Sequence, residues 1–164
     1  MPARATALLD PARLILLAPL VFVIHVLEEA PGFVAWFNSI VTRGISWELF
    51  LAVNIAAFAI TLALSLLAAY SPSKGSLLGA FAWLSLLFFA NAIFHIVATV
   101  VHARYCPGVV TAIAVYLPYF VIYAARLRLS LPVSIGTLIG ISLVGGLPMY
   151  IHGYRIVFLA DRLF

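Results

Sequence analysis

The chain has 164 residues, of which 66% are hydrophobic and 9% charged, with a formal net charge of +4. Soluble domains carry about a quarter charged residues, so this composition excludes a soluble domain and places the chain in a bilayer. A single cysteine, Cys106, rules out an intrachain disulfide, and no CxxC or Cys/His spacing of a structural zinc site is present.

A hydrocarbon core about 30 Å thick needs roughly 20 apolar residues per helical crossing. The first such run extends from about Pro11 to Glu29 and is stopped by Pro31-Gly32. Arg4 and Arg13 precede its apolar part as in a secretion signal, but no small-x-small cleavage site follows, and a retained helix is expected. The second run starts at Ser46, a good N-cap, and ends at Tyr70 before the polar turn Ser71-Pro72-Ser73-Lys74-Gly75. A third covers about Ser76 to Arg104, and a fourth starts beyond Pro107-Gly108 and ends near Arg126. The fifth runs from about Pro132 to Leu159, with an interruption expected at Gly145-Gly146 and Pro148. Its Gly136 and Gly140 form a small-xxx-small pair that lets another helix approach closely.

The expected architecture is thus all-α: residues 1–164 form one integral membrane bundle of about five transmembrane helices. The basic residues lie mostly at the ends of the apolar runs, where they anchor segments at the interface, so the net charge points to no nucleic acid. Arg4, Arg13, Lys74, Arg126 and Arg128 fall on the amino-terminal side, and Arg43, Arg104, Arg155 and Arg162 on the other. That bias favours a cytoplasmic amino terminus, in the cell membrane.

Ionisable side chains inside such segments cost at least about 2.5–3.5 kcal/mol each, which makes them functional candidates. Three fall within five residues: His25, Glu28 and Glu29. At 1.5 Å per residue the two glutamates lie about 20 Å above the start of the first span, and Asn91 and His95 lie about 20–25 Å above the start of the third. Asn91, His95 and His102 return to within about 40° of one direction at 100° per residue. His152 reaches the same leaflet from the fifth span, so two polar stripes and a further histidine are expected to face each other or a shared ion.

Between the third and fourth spans, Tyr105-Cys106-Pro107-Gly108 supplies turn geometry. Tyr105 and Thr111 flank the polar region, Arg104 is placed to pair with a carboxylate or a lipid phosphate, and Glu48 suits the first turn of its helix. Trp36, Trp47 and Tyr70 read as an interfacial aromatic belt.

His25-x-x-Glu28-Glu29, Asn91-x-x-x-His95 and Tyr105-x-Pro107-Gly108-x-x-Thr111, in that order, resemble the three signature motifs of the HXXEE-motif family of small multi-pass membrane proteins. The resemblance covers residues 25 to 111; it implies a site and names no reaction. His152 has no counterpart in those motifs.

The leading reading is a membrane metalloenzyme acting on a lipid or other amphipathic substrate. Its divalent ion, zinc or iron, would be drawn from the ligands His25, Glu29, His95, His102 and His152. In that reading Glu28 or Glu29 serves as general base, and Asn91 and Tyr105 orient substrate or an oxyanion. A proton- or ion-coupled carrier using the same Glu/His cluster is the second reading, although no polar track continues through the other leaflet. The third is a haem or small-ligand protein with His95 and His102 as axial ligands. Expected partners are bilayer lipid and a lipid-like small molecule, and a homo-oligomer is compatible with each reading.

Overall fold

A computed structural model describes residues 10–162, so Arg4 lies outside the described residues. Five helices are long and apolar enough to cross a bilayer: α1 (Pro11–Glu29), α3 (Trp47–Tyr70), α4 (Lys74–Val101), α5 (Val109–Ser130) and α6 (Ile135–Leu159). A short helix, α2 (Phe33–Asn38), follows α1. No strand occurs among the described residues.

The helix starts follow from local chemistry. Asp10 caps α1 through Ala12 N–H (3.0 Å), with Pro11 in the first turn, where its missing N–H costs nothing. Ser46 accepts from Leu49 N–H at 3.2 Å, Ser134 accepts from Thr137 N–H at 3.0 Å, and Ser73 and Ser76 cap α4 reciprocally. Residues Ile15–Leu17 of α1 tighten into a 3₁₀ turn immediately before Pro19, which lacks the N–H that would reach Ile15 C=O. Two other departures are π-helical: Ser85–Ala90 within α4 and Ala112–Tyr116 within α5.

α4 is the central element. One core cluster joins Ile15 and Phe22 of α1 to Phe81, Leu84 and Phe88 of α4 and to Tyr116, Phe120 and Tyr123 of α5. Tyr119 adds a hydrogen bond from its hydroxyl to Leu14 C=O at 2.9 Å. A second cluster gathers Trp36 and Phe37 of α2, Phe94 and Ala98 of α4, and Ile156 and Val157 of α6. α3 presents Val53, Ile55, Leu66 and Leu67 outward, a surface suited to lipid rather than water.

Several expectations change here. The interruption of the fifth span is absent: α6 runs unbroken through Gly145, Gly146 and Pro148. Gly145 and Gly153 serve close packing instead, since a Cβ on Gly145 would lie 2.7 Å from Ala82 O of α4, and one on Gly153 would lie 3.1 Å from the Phe94 ring; at Gly136 and Gly140 no other helix approaches within 4 Å among the described residues. α4 ends at Val101, short of Arg104, because Ala103 turns the chain with φ +46°. α5 continues past Arg126 to Ser130. Trp36 does not belong to an interfacial belt: it is 2% exposed, buried between α4 and α6. Among the described residues Arg104 forms no ion pair with a carboxylate; it donates to Ser39 Oγ at 3.1 Å.

The backbone contact at Gly145 yields a direct expectation. Gly145→Ala forces α4 and α6 apart and lowers stability by about 1–3 kcal/mol, the cost of overpacking a closed contact. Gly140→Ala, with nothing within 4 Å of the added carbon, stays within about 0.5 kcal/mol of the parent. Thermal unfolding of both variants in detergent checks the difference.

Candidate metal centre

The last turn of α1 carries His25, Glu28 and Glu29, and their directions divide them. Positions four apart share a face, whereas neighbours diverge by about 100°. His25 and Glu29 therefore point together toward α4, and Glu28 points toward the start of α5.

Glu28 is a clamp. Its Oε1 accepts from the Tyr105 hydroxyl (2.5 Å) and Val110 N–H (3.1 Å), and its Oε2 accepts from Thr111 N–H (2.7 Å) and the Thr111 hydroxyl (2.5 Å). The first N–H groups of a helix lack intrahelical partners and carry the positive end of its dipole, so a carboxylate from another helix caps α5 here. Four donors on one carboxyl group are the complement of its ionised form. The hydrogen bond to Glu28 pushes the Tyr105 phenol up to about 12, which keeps it a donor.

Glu29, His25 and His95 form the second half of the arrangement. Their ligand atoms all lie within 4.8 Å of one another, and the three residues are buried. His95 Nε2 is 3.1 Å and His25 Nε2 3.6 Å from Glu29 Oε1. Neither contact has hydrogen-bond geometry, and both Nε2 atoms are buried without a hydrogen-bond partner. The rings meet edge to face with centroids 4.9 Å apart.

The opposite ring nitrogens explain which way those Nε2 atoms face chemically. His25 Nδ1 lies 2.8 Å from Thr111 Oγ1. Because the Thr111 hydroxyl gives its one proton to Glu28, its oxygen accepts from His25 Nδ1–H, and Nε2 is left bare. His95 Nδ1 lies 3.3 Å from Cys106 Sγ, whose thiol in turn reaches Pro107 C=O at 3.8 Å. Burial pushes the Cys106 thiol up, so it stays protonated, donates to that carbonyl and accepts from His95 Nδ1–H. Two bare imidazole nitrogens and a buried carboxylate oxygen thus face one another.

Backbone closes the site. Gly108 has φ +100°, a left-handed conformation that favours glycine. A Cβ there would lie 2.7 Å from His95 Cε1, 2.9 Å from Glu29 Cγ and 2.9 Å from His25 Cε1. The preceding residue packs on the turn after α1: a Cβ at Gly32 would sit 3.1 Å from Pro107 Cγ. Tyr116 stacks on His25 with centroids 4.1 Å apart, and Phe88 stacks on Tyr116 at 4.2 Å.

His102 and His152 are not members of this group of three. Asn91, one turn before His95, is half-buried, and its Oδ1 has no hydrogen-bond partner. His102 caps the end of α4 and sets its ring edge-on to Trp36 at 6.2 Å. His152 sits half-buried on α6. Sequence reasoning gave Cys106 only a place in a turn and did not single out Tyr116. Spacing signalled neither: Cys106 lies beyond the end of α4, and a π-helical turn sets the direction of Tyr116.

A family model described as "Protein of unknown function with HXXEE motif" matches residues 16–123, and no curated protein and no solved structure matches the chain. The matched stretch contains α1 from Leu16, the Glu28 clamp, both imidazoles and the Tyr105–Thr111 turn, and the chain belongs to the HXXEE-motif family.

Proposed function

We propose that this protein is a metal-dependent membrane enzyme, with a divalent ion held by His25 Nε2, His95 Nε2 and Glu29. One observation carries the reading. Two imidazole nitrogens left bare by their Nδ1–H partners face a buried carboxylate oxygen. In a low-dielectric interior that grouping is repulsive without a cation. Tetrahedral ligands about 2.0–2.2 Å from zinc stand roughly 3.3–3.5 Å apart; the 3.1 and 3.6 Å separations bracket that spacing.

Two histidines and one carboxylate are the ligand set of catalytic zinc sites and of non-haem iron sites, both of which keep a position open. An ion so held supplies Lewis acidity toward a carbonyl or phosphoryl oxygen. The protein's own residues do the rest. Thr111 and Cys106 fix the two imidazoles, and Gly108 lets the backbone close over them. Glu28, with both oxygens engaged, holds the frame instead of moving protons. Asn91 offers a buried amide for orienting substrate. Leu27, Tyr105 and Val110 are exposed around the end of α1, a mixture of apolar and hydroxyl surface suited to an amphipathic substrate.

Elemental analysis of detergent-purified protein tests the ligand set. The wild type is expected to hold about one equivalent of zinc or iron per chain, and His25→Ala and His95→Ala to hold none while keeping their helical circular dichroism. Wild-type protein that is metal-free and does not retain added zinc or ferrous iron overturns the reading and points to proton carriage by the same cluster.

Thr111→Val keeps the shape and removes the hydroxyl between Glu28 and His25. Its metal affinity, measured by competition with a chelator, is expected to fall about 10–100-fold, as when a ligand histidine loses its orienting partner.

A further inference from the structure

The opposite end of the bundle holds a feature that the metal centre does not use. α4, α5 and α6 enclose an apolar groove of about 380 Å³ whose lining includes Phe81, Phe89, Phe120, Leu143, Ile135 and Arg128. Arg128 and Ile135 stand at the surface end, close to the α5–α6 turn. Phe120 and Leu143 are eight residues further along α5 and α6, a depth of about 12 Å. Half of the hydrocarbon core is about 15 Å, so the groove runs from the membrane surface nearly to the midplane. Ala124 and Ala125, also in its lining, end at Cβ and leave the recess open.

The charge at the mouth is specific. Among the described residues, no hydrogen bond or ion pair reaches the Arg128 guanidinium. Arg13, Lys74 and Arg126 belong to the same side of the bundle, where Asp10 is the one acid among the described residues. A guanidinium with free donors matches the geometry of a phosphate. A neutral sterol or a zwitterionic headgroup leaves that charge uncompensated.

We propose that this groove is a binding site for an anionic phospholipid, with one acyl chain lying along α4, α5 and α6 and the phosphate held by Arg128. The site is independent of the metal centre, which lies at the far ends of α4 and α5. It gives the protein a preference among lipids at its amino-terminal side, where a basic face meets a leaflet of negative surface potential.

Native mass spectrometry of the full chain, released from detergent micelles carrying phosphatidylglycerol or phosphatidylcholine with identical chains, tests the assignment. The wild type is expected to keep one phosphatidylglycerol under activation that strips phosphatidylcholine. Arg128→Ala is expected to lose that preference by about fivefold, the worth of one interfacial arginine. Arg126→Ala, on the same turn but outside the lining, is expected to retain it. Ala125→Phe, which narrows the recess while leaving Arg128 in place, should weaken retention of both lipids. Equal retention of the two lipids by the wild type, or a preference that survives Arg128→Ala, overturns the proposal. Arg128 is exposed at a helix end, so its truncation leaves the fold intact for the comparison.

Discussion

The carboxylate of Glu28 holds the site end of the molecule together. Hydrogen bonds to an ionised group are roughly twice as strong as neutral ones, and four of them join the last turn of α1 to Tyr105 and the first turn of α5. With that junction made, the residues between Tyr105 and Val110 have little freedom. Pro107 seats against Gly32, and Gly108 lies flat against His25, Glu29 and His95. Thr111 sits at the hinge of this logic, because its single hydroxyl both completes the clamp and fixes the tautomer of His25. The charge that fastens the helices is thereby coupled to the tautomer of a ring on the same helix.

Such a site could not be built in lipid from side chains alone. A buried imidazole without a partner is expensive there, and each of the two here has one nitrogen satisfied by a neighbour and the other turned toward Glu29. The Cys106 thiol and the Thr111 hydroxyl occupy the outward nitrogens, while the aromatic faces of Tyr116 and Phe88 pack against the side. The result is a group of electron-pair donors set beside aromatic rings, the arrangement on which the proposed metal site rests.

Much of this was legible from residue order. The ends of α1 and α3, the common depth of Glu29 and His95, and the motifs around the site follow from helix rise and from the rarity of charge in apolar segments. The different parts played by Glu28 and Glu29 were not. Adjacent carboxylates diverge by about 100°, and only the positions of α4 and α5 determine which of them meets an imidazole and which meets a helix start. α2 escaped notice because six residues carry too little periodicity, and Trp36, read as an interfacial ring, is carried by that helix against α4 and α6 and buried there. Pro148 and the adjoining glycines signalled a break where packing against Ala82 needed small residues in a continuous helix.

The π-helical segments explain why a pattern read at 100° per residue works near the site and fails across the whole helix. Phe81, which lines the groove, and His95, in the candidate metal centre, are fourteen residues apart on α4. A regular helix would bring them to within about 40° of one another. The π-helical stretch Ser85–Ala90 lies between them and absorbs an extra residue, rotating everything beyond it by roughly 100°. That rotation lets α4 turn Phe81 toward α5 and α6 at one end and His95 toward α1 at the other. The counterpart in α5, Ala112–Tyr116, does the same for Tyr116, and the two irregular stretches meet where Phe88 stacks on Tyr116. One pair of helices can therefore serve two sites on different sides of the bundle, with the change of face made where the rings are in contact.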